Sequence, residues 1–232
     1  MLQKIIRKWK KRNLSPSQAY VQYLREIGCR VGEDVNIFDP ASTVIDDTRP
    51  WLIEIGNHVG ITHGVTILTH GYDWAVLKTV YGDVLGSAGK VTIGDNVFIG
   101  MNTTILKGVH IGSNVIIGAG SLVSRDIPDN CVAAGNPCRV LMSLEDYYAK
   151  RKQAQLQEAA ELVRSYRERY GREPDETILR EFYWLFSDDP ETLCGAYRQV
   201  QDLCENRAYS DRKLKEHTKQ FADMAEFLAS IE

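Results

Sequence analysis

From residue 93 to residue 128 the chain reads as six hexads in unbroken register: IGDNVF, IGMNTT, ILKGVH, IGSNVI, IGAGSL and VSRDIP. Position one is Ile93, Ile99, Ile105, Ile111, Ile117 and Val123, and position five is β-branched or small throughout. A period of six matches neither the 3.6-residue helix nor the two-residue alternation of a half-buried strand. It matches short strand, turn, short strand, wound so that each hexad makes one wall of a triangular prism. Three hexads close a coil of about 18 residues, so position one points inward and stacks on its equivalent in the next coil. Glycine recurs at position two (Gly94, Gly100, Gly112, Gly118), where a tight corner leaves little room for a side chain.

Weaker hexads precede this block. VGEDVN and IFDPAS start at Val31, the register blurs around Asp46, Asp47, Thr48, Arg49 and Pro50, and IGNHVG and ITHGVT resume it at Ile55 and Ile61. Residues 71–90 (GYDWAVLKTVYGDVLGSAGK) do not fit. An excursion of that length from a tight solenoid is commonly functional or disordered, and Tyr72, Trp74 and Tyr81 argue against disorder. Before the hexads, Ser15-Pro16-Ser17-Gln18 reads as a capping box that opens a helix ending at Gly28. After them, a helix is expected from Ser143 to Tyr170, then further helices near 175–187, 190–206 and 211 onward. The expected organisation is therefore a helical N-terminal cap (1–30), a repeat domain (31–142) and a helical C-terminal extension (143–232).

Composition narrows the partners. A net charge of −3 gives no global attraction to nucleic acid. No run approaches the ~18 apolar residues of a membrane span. Five cysteines, none spaced C-x-x-C, read as free thiols in a reducing cytoplasm, and Cys131 and Cys138 as small buried groups. The basic segment 1–14, with Leu2, Ile5, Ile6 and Trp9 on one helical face, could cap the open prism end or touch an anionic membrane surface. Capping is the favoured of the two, because an exposed solenoid end has to be covered.

Three of the five histidines, His58, His63 and His70, fall in the early coils. His58 and His63 form a His-x4-His pair similar to that of the gamma-class carbonic anhydrases, which bind zinc through three histidines shared between subunits. Their third ligand lies about two coils upstream, where this chain has no histidine. No metal is therefore expected, and the pair reads as exposed or subunit-contact residues. His70 is the last residue before the excursion, so its ring should stand at the loop's base, and an imidazole with its usual pKa near ~6.5 suits a general base.

The segment VTIGDNVFIGMNTTILKGVHIGSNVIIGAGSLVSRDIPDNCVAAGNPCRV (91–140) resembles the terminal coils of the hexapeptide-repeat acyltransferases, of the galactoside/maltose and xenobiotic acetyltransferase types. The resemblance spans about residues 31–140, and it implies a left-handed parallel β-helix. It implies that His70, in ILTHGYDW, is the catalytic base that deprotonates an acceptor hydroxyl for direct attack on the thioester of acetyl-CoA. It implies a homotrimer, with acetyl-CoA in the groove between prisms against Met101, Ala119 and Ser124, and with Arg125 and Arg139 near its phosphates. It also matches Asp47 to a substrate-contacting carboxylate, and Asp39 to a position where the galactoside enzymes carry Asn. Tyr72 and Trp74 could wall a sugar ring or pack on a neighbouring subunit.

The reading is thus a mainly β, left-handed parallel β-helix that acts as an O-acetyltransferase on a carbohydrate-like acceptor. N-acetylation of an amino sugar, a zinc hydratase of the carbonic anhydrase type and a scaffold without activity are the alternatives.

Overall fold

In the computed structural model, which describes residues 15–232, the hexad register becomes three parallel sheets. The first wall stacks β1 (Arg30–Val31), β4 (Ile53–Ile55), β7 (Val91–Ile93) and β10 (His110–Ile111). The second stacks β2 (Asn36–Ile37), β5 (Val59–Ile61), β8 (Val97–Ile99), β11 (Val115–Ile117) and β13 (Cys131–Ala134). The antiparallel β14 (Arg139–Ser143) pairs with β13 and ends this stack. The third wall holds β3 (Val44–Ile45), β6 (Thr66–Ile67), β9 (Thr104–Ile105) and β12 (Leu122–Val123).

Ile93, Ile99 and Ile105 lie on three different walls, and Ile111 sits in register over Ile93. Ile99, Ile105, Ile111, Ile117 and Val123 are all fully buried. Burial of each such side chain stabilises the fold by about 1.5–3 kcal/mol, so the column of position-one residues is the main cohesive element of the prism.

The glycines at position two have a different cause from the corner expected. None has a positive φ; instead a Cβ at Gly94 would stand 2.6 Å from Ser113 Oγ and 2.8 Å from the Gly112 carbonyl carbon. They allow coils to approach. The left-handed conformation falls at position four, on Asp34, His58, Asn96, Asn102 and Asn114 and on Gly64, Gly108 and Gly120. Asn and Asp tolerate this region better than other side chains. On one edge the amides also join the coils: Asn96 Nδ2 donates to Asn114 Oδ1, and Asn114 Nδ2 to Asn130 Oδ1, both at 2.9 Å.

Coil length varies. Equivalent residues are 18 apart between Asn96 and Asn114 but 24 apart between Glu33 and Asn57, and 38 between Asn57 and Asp95. The surplus in the first coil is the blurred stretch, which carries a short 3-10 turn, Pro50–Leu52. The surplus in the second is the excursion 71–90. Both interrupt the path from the third wall to the first.

Helix α1 (Pro16–Ile27) has the expected capping box, with Gln18 N donating to Ser15 Oγ at 3.2 Å and Ser15 N to Gln18 Oε1 at 3.0 Å, and it ends at Gly28 with φ 110°. Its Val21, Tyr23 and Leu24 are buried in the same core as the first coil, so α1 covers that end of the prism. Segment 1–14, with its proposed capping or membrane role, lies outside the described residues.

The chain divides into two units, the first ending at Tyr147 and the second covering Tyr148–Glu232. Helix α3 (Leu144–Tyr170) stops at Gly171, as expected. The helix expected over 175–187 is not formed; only the 3-10 turn Tyr183–Leu185 is regular there. Tyr183, Leu185 and Phe186 are all buried in the core of this unit. Helices Gly195–Gln201, Arg207–Glu216 and Met224–Ala229 complete this unit around Leu179, Leu214 and Phe227. No helix among the described residues is long and apolar enough to cross a membrane.

Candidate active site

Where the third wall turns toward the first, Ile67 ends β6 and His70 follows at the corner. The excursion leaves from His70 and returns to it: His70 pairs with Ala88 in an antiparallel bridge, and Gly89 N donates to Thr69 O at 2.9 Å. The backbone on both sides of the ring is therefore pinned. Within the loop, an eight-residue helix that the sequence had not suggested, α2 (Trp74–Tyr81), projects from this base. Tyr72 and Trp74 meet edge to face with centroids 4.7 Å apart.

His70 Nδ1 lies 2.7 Å from Asp46 Oδ2, and the Asp46 side chain is only 5% exposed against 33% for His70. The same oxygen accepts from the Thr69 backbone N–H at 3.2 Å and from the Thr69 hydroxyl, while Asp46 Oδ1 accepts from Thr48 N and Oγ1 at 3.1 and 2.7 Å. Burial alone would raise the carboxyl's pKa, but hydrogen bonds from Thr48, Thr69 and His70 outweigh it and hold the group well below the usual carboxylate range. An ionised Asp46 can only accept, so Nδ1 carries the proton and Nε2 is left as the acceptor.

Asp46 was missed by sequence reasoning, which singled out its neighbour Asp47. Asp47 Oδ2 instead accepts from Tyr23 OH of α1 at 2.8 Å. A signal was present: Asp34, Asp39 and Asp46 are spaced five then seven apart, and so are His58, His63 and His70. Each histidine sits over the aspartate 24 residues earlier, with His58 Nδ1 2.9 Å from Asp34 Oδ2 and His63 Nδ1 2.6 Å from Asp39 Oδ2. The three pairs occupy three different edges, so these histidines do not converge within one chain. The Asp34 and Asp39 side chains are 29% and 37% exposed, and only Asp46 is buried. Hydrogen bonds from Ser42 and His63 hold the Asp39 carboxyl below its ordinary range.

The remaining candidates divide between two edges. Met101 and Ala119 lie between the second and third walls, and Gly120 N donates to Met101 O at 2.7 Å, which stacks them in one column. Arg139 joins this edge opposite Ala134, its guanidinium donating to Cys138 O at 2.8 Å. Asp39 and His63 lie on the same edge. His70, Asp46, Asp47, Tyr72, Trp74, Ser124 and Arg125 follow the third wall instead. A single chain thus separates the candidate base from Met101, Ala119 and Arg139 by the width of one wall.

Residues 90–125 match the family model described as bacterial transferase hexapeptide (six repeats). The chain is 40% identical over 149 residues to Protein CapG of Staphylococcus aureus, covering 64% of this chain and 83% of that protein. It is 41% identical over 112 residues to the galactoside O-acetyltransferase of Escherichia coli (strain K12), covering 47% of this chain and 53% of that enzyme. Among solved structures, a maltose O-acetyltransferase from Clostridium difficile 630 is similar at 27% identity and a TM-score of 0.41, covering 61% of this chain and 83% of that one.

Proposed function

The chain belongs to the hexapeptide-repeat acyltransferases, and from that premise we propose an acetyl-CoA-dependent O-acetyltransferase acting on a hydroxyl of a carbohydrate, with His70 as general base. The observation that carries this reading is the His70–Asp46 pair at the root of the loop. Asp46 holds the ring in the tautomer whose Nε2 is unprotonated, and that nitrogen takes the proton of the acceptor hydroxyl. The oxygen attacks the thioester carbonyl carbon, the C–S bond breaks, and the proton on Nε2 passes to the departing sulfur. No covalent enzyme intermediate is required, and imidazolium formed midway is stabilised by the adjacent carboxylate.

The functional unit in this reading is a homotrimer of left-handed prisms, the hand being taken from the family. Two observations support the trimer. His70 and the column Met101, Ala119 and Arg139 lie on different edges, so a second chain has to bring them together. The loop also exposes Val76, Val80, Val84 and Leu85, each more than half accessible in the single chain. Apolar surface of that kind marks an interaction face. Acetyl-CoA would then lie against Met101 and Ala119, with its phosphates near Arg125 and Arg139, where guanidinium forks fit phosphate oxygens. Tyr72 and Trp74, on the base's own edge, would meet the acceptor together with Asp47, and Asp39 would approach it from the neighbouring chain.

Release of free CoA, measured over a panel of sugars for the intact chain and for His70→Ala, tests this proposal. Sugar-dependent release that vanishes in the variant is the expected result. Release that is indifferent to His70 would sink it, and acetylation of amino groups alone would replace O- with N-transfer.

A further inference from the structure

A cavity of about 580 Å³ lies wholly within the second unit. Tyr148, Arg151, Lys152 and Gln155 form one side of it, on the i, i+3, i+4, i+7 face of helix α3, and Trp184 and His217 stand among its other lining groups. Its size falls within the ~300–1,000 Å³ of small-molecule sites. None of the activity derived above uses it.

The lining is positively charged and contains no carboxylate. Arg151 is oriented by a forked pair with Glu158, which lies outside the lining, at 2.6 and 2.7 Å. Lys152 has no carboxylate partner among the described residues, and its Nζ stands 4.9 Å over the Tyr148 ring. His217 Nδ1 lies 2.7 Å from Leu214 O and Nε2 2.8 Å from Trp184 O. These two contacts fix the orientation of the ring at the cavity wall.

Flat apolar surface accompanies that charge. The Trp184 ring lies 4.8 Å from the His217 ring, and Tyr148 is 59% exposed. Gln155, Thr218 and Gln220 add amide and hydroxyl groups. Aromatic faces, neutral hydrogen-bonding groups and a modest excess of cations match a pyranose that bears a carboxylate. Because Glu158 already engages Arg151, the surplus charge suits a carboxylate better than a polyphosphate. We propose that the second unit is a binding site for acidic oligosaccharide, with sugar rings on Trp184 and Tyr148 and carboxylate at Lys152. Only the kinetic consequence, a lower KM for an acidic acceptor tethered to the same chain, rests on the function proposed above.

Calorimetric titration of the full chain with trigalacturonate, maltotriose and AMP tests the site. Saturable binding of trigalacturonate is expected, at least about tenfold tighter than of maltotriose, and Lys152→Glu should weaken it by about tenfold or more. Lys152 is exposed, so the variant should fold, and its CoA release with a neutral monosaccharide should be unchanged. Absence of trigalacturonate binding, equal binding of maltotriose, insensitivity to Lys152→Glu or tighter binding of AMP would each overturn the proposal. In kinetics, Lys152→Glu should raise KM for an acidic oligosaccharide and leave kcat alone. If trigalacturonate binds but no sugar supports CoA release, the binding site stands and the acceptor class proposed for the catalytic edge falls.

Discussion

His70 Nδ1 and Asp46 Oδ2 meet at 2.7 Å across two coils of the prism, and the carboxylate is closed off from solvent while the ring is not. That asymmetry suits the general base proposed for His70: one nitrogen is committed to a fixed partner, while the side chain as a whole stays one-third accessible. His70→Ala should lower kcat by ~10² or more and leave acetyl-CoA affinity nearly unchanged. Asp46→Asn should also lower kcat by ~10² or more, because an amide that donates to Nδ1 selects the wrong tautomer. Single-turnover rates and acetyl-CoA titrations of the two variants check this. Near-normal turnover in either would remove that residue from the mechanism.

Asp46 also links stability to pH. Its folded pKa is depressed, so it stabilises the fold above the unfolded carboxylate value of ~3.9, and that contribution is lost as pH falls further. Urea midpoints for the parent and Asp46→Asn should therefore differ most near neutrality and converge on the acid side. A difference independent of pH would show that the ionised form of Asp46 has no stabilising role.

Trp74→Ala should raise the KM for the acceptor with little change in the KM for acetyl-CoA. The indole and Tyr72 stand on the same edge as His70, whereas Met101 and Ala119 stand on the other. Sugars favour such flat apolar walls. The opposite pattern of KM values would assign the loop to the donor.

Gly94 and Gly108 should respond in opposite ways to substitution. A Cβ at Gly94 meets backbone of the next coil at 2.8 Å, so Gly94→Ala should cost about 1–3 kcal/mol. Gly108 has φ 79° and open space around it, and Asn fills the equivalent position at 96, 102 and 114. Gly108→Asn should therefore stay within about 1 kcal/mol of the parent. Thermal midpoints that rank the two in reverse would contradict this account of the corners.

Sedimentation should give a trimer, and charge placed on the exposed loop face, as in Val80→Glu, should dissociate it and abolish activity together. A monomer with full activity would place the whole site within one chain.

The parallel walls were legible in the sequence because a six-residue period has one way to bury its first position: Ile93, Ile99 and Ile105 had to take three walls, with Ile111 over Ile93. The Ser15–Gln18 cap was legible for the same reason, since every interaction that defines it is local. The partner of His70 was not. Whether Asp46 or Asp47 faces the ring depends on where the surplus residues of the first coil are placed, because both follow the end of β3 at Ile45. One residue of register therefore exchanges the carboxylate bonded to His70 for the one bonded to Tyr23. The separation of His70 from Met101 and Ala119 is likewise a property of the closed prism. Residues six apart in the chain stand on different walls, and residues a full coil apart stack; only winding the coil decides which edge each one reaches.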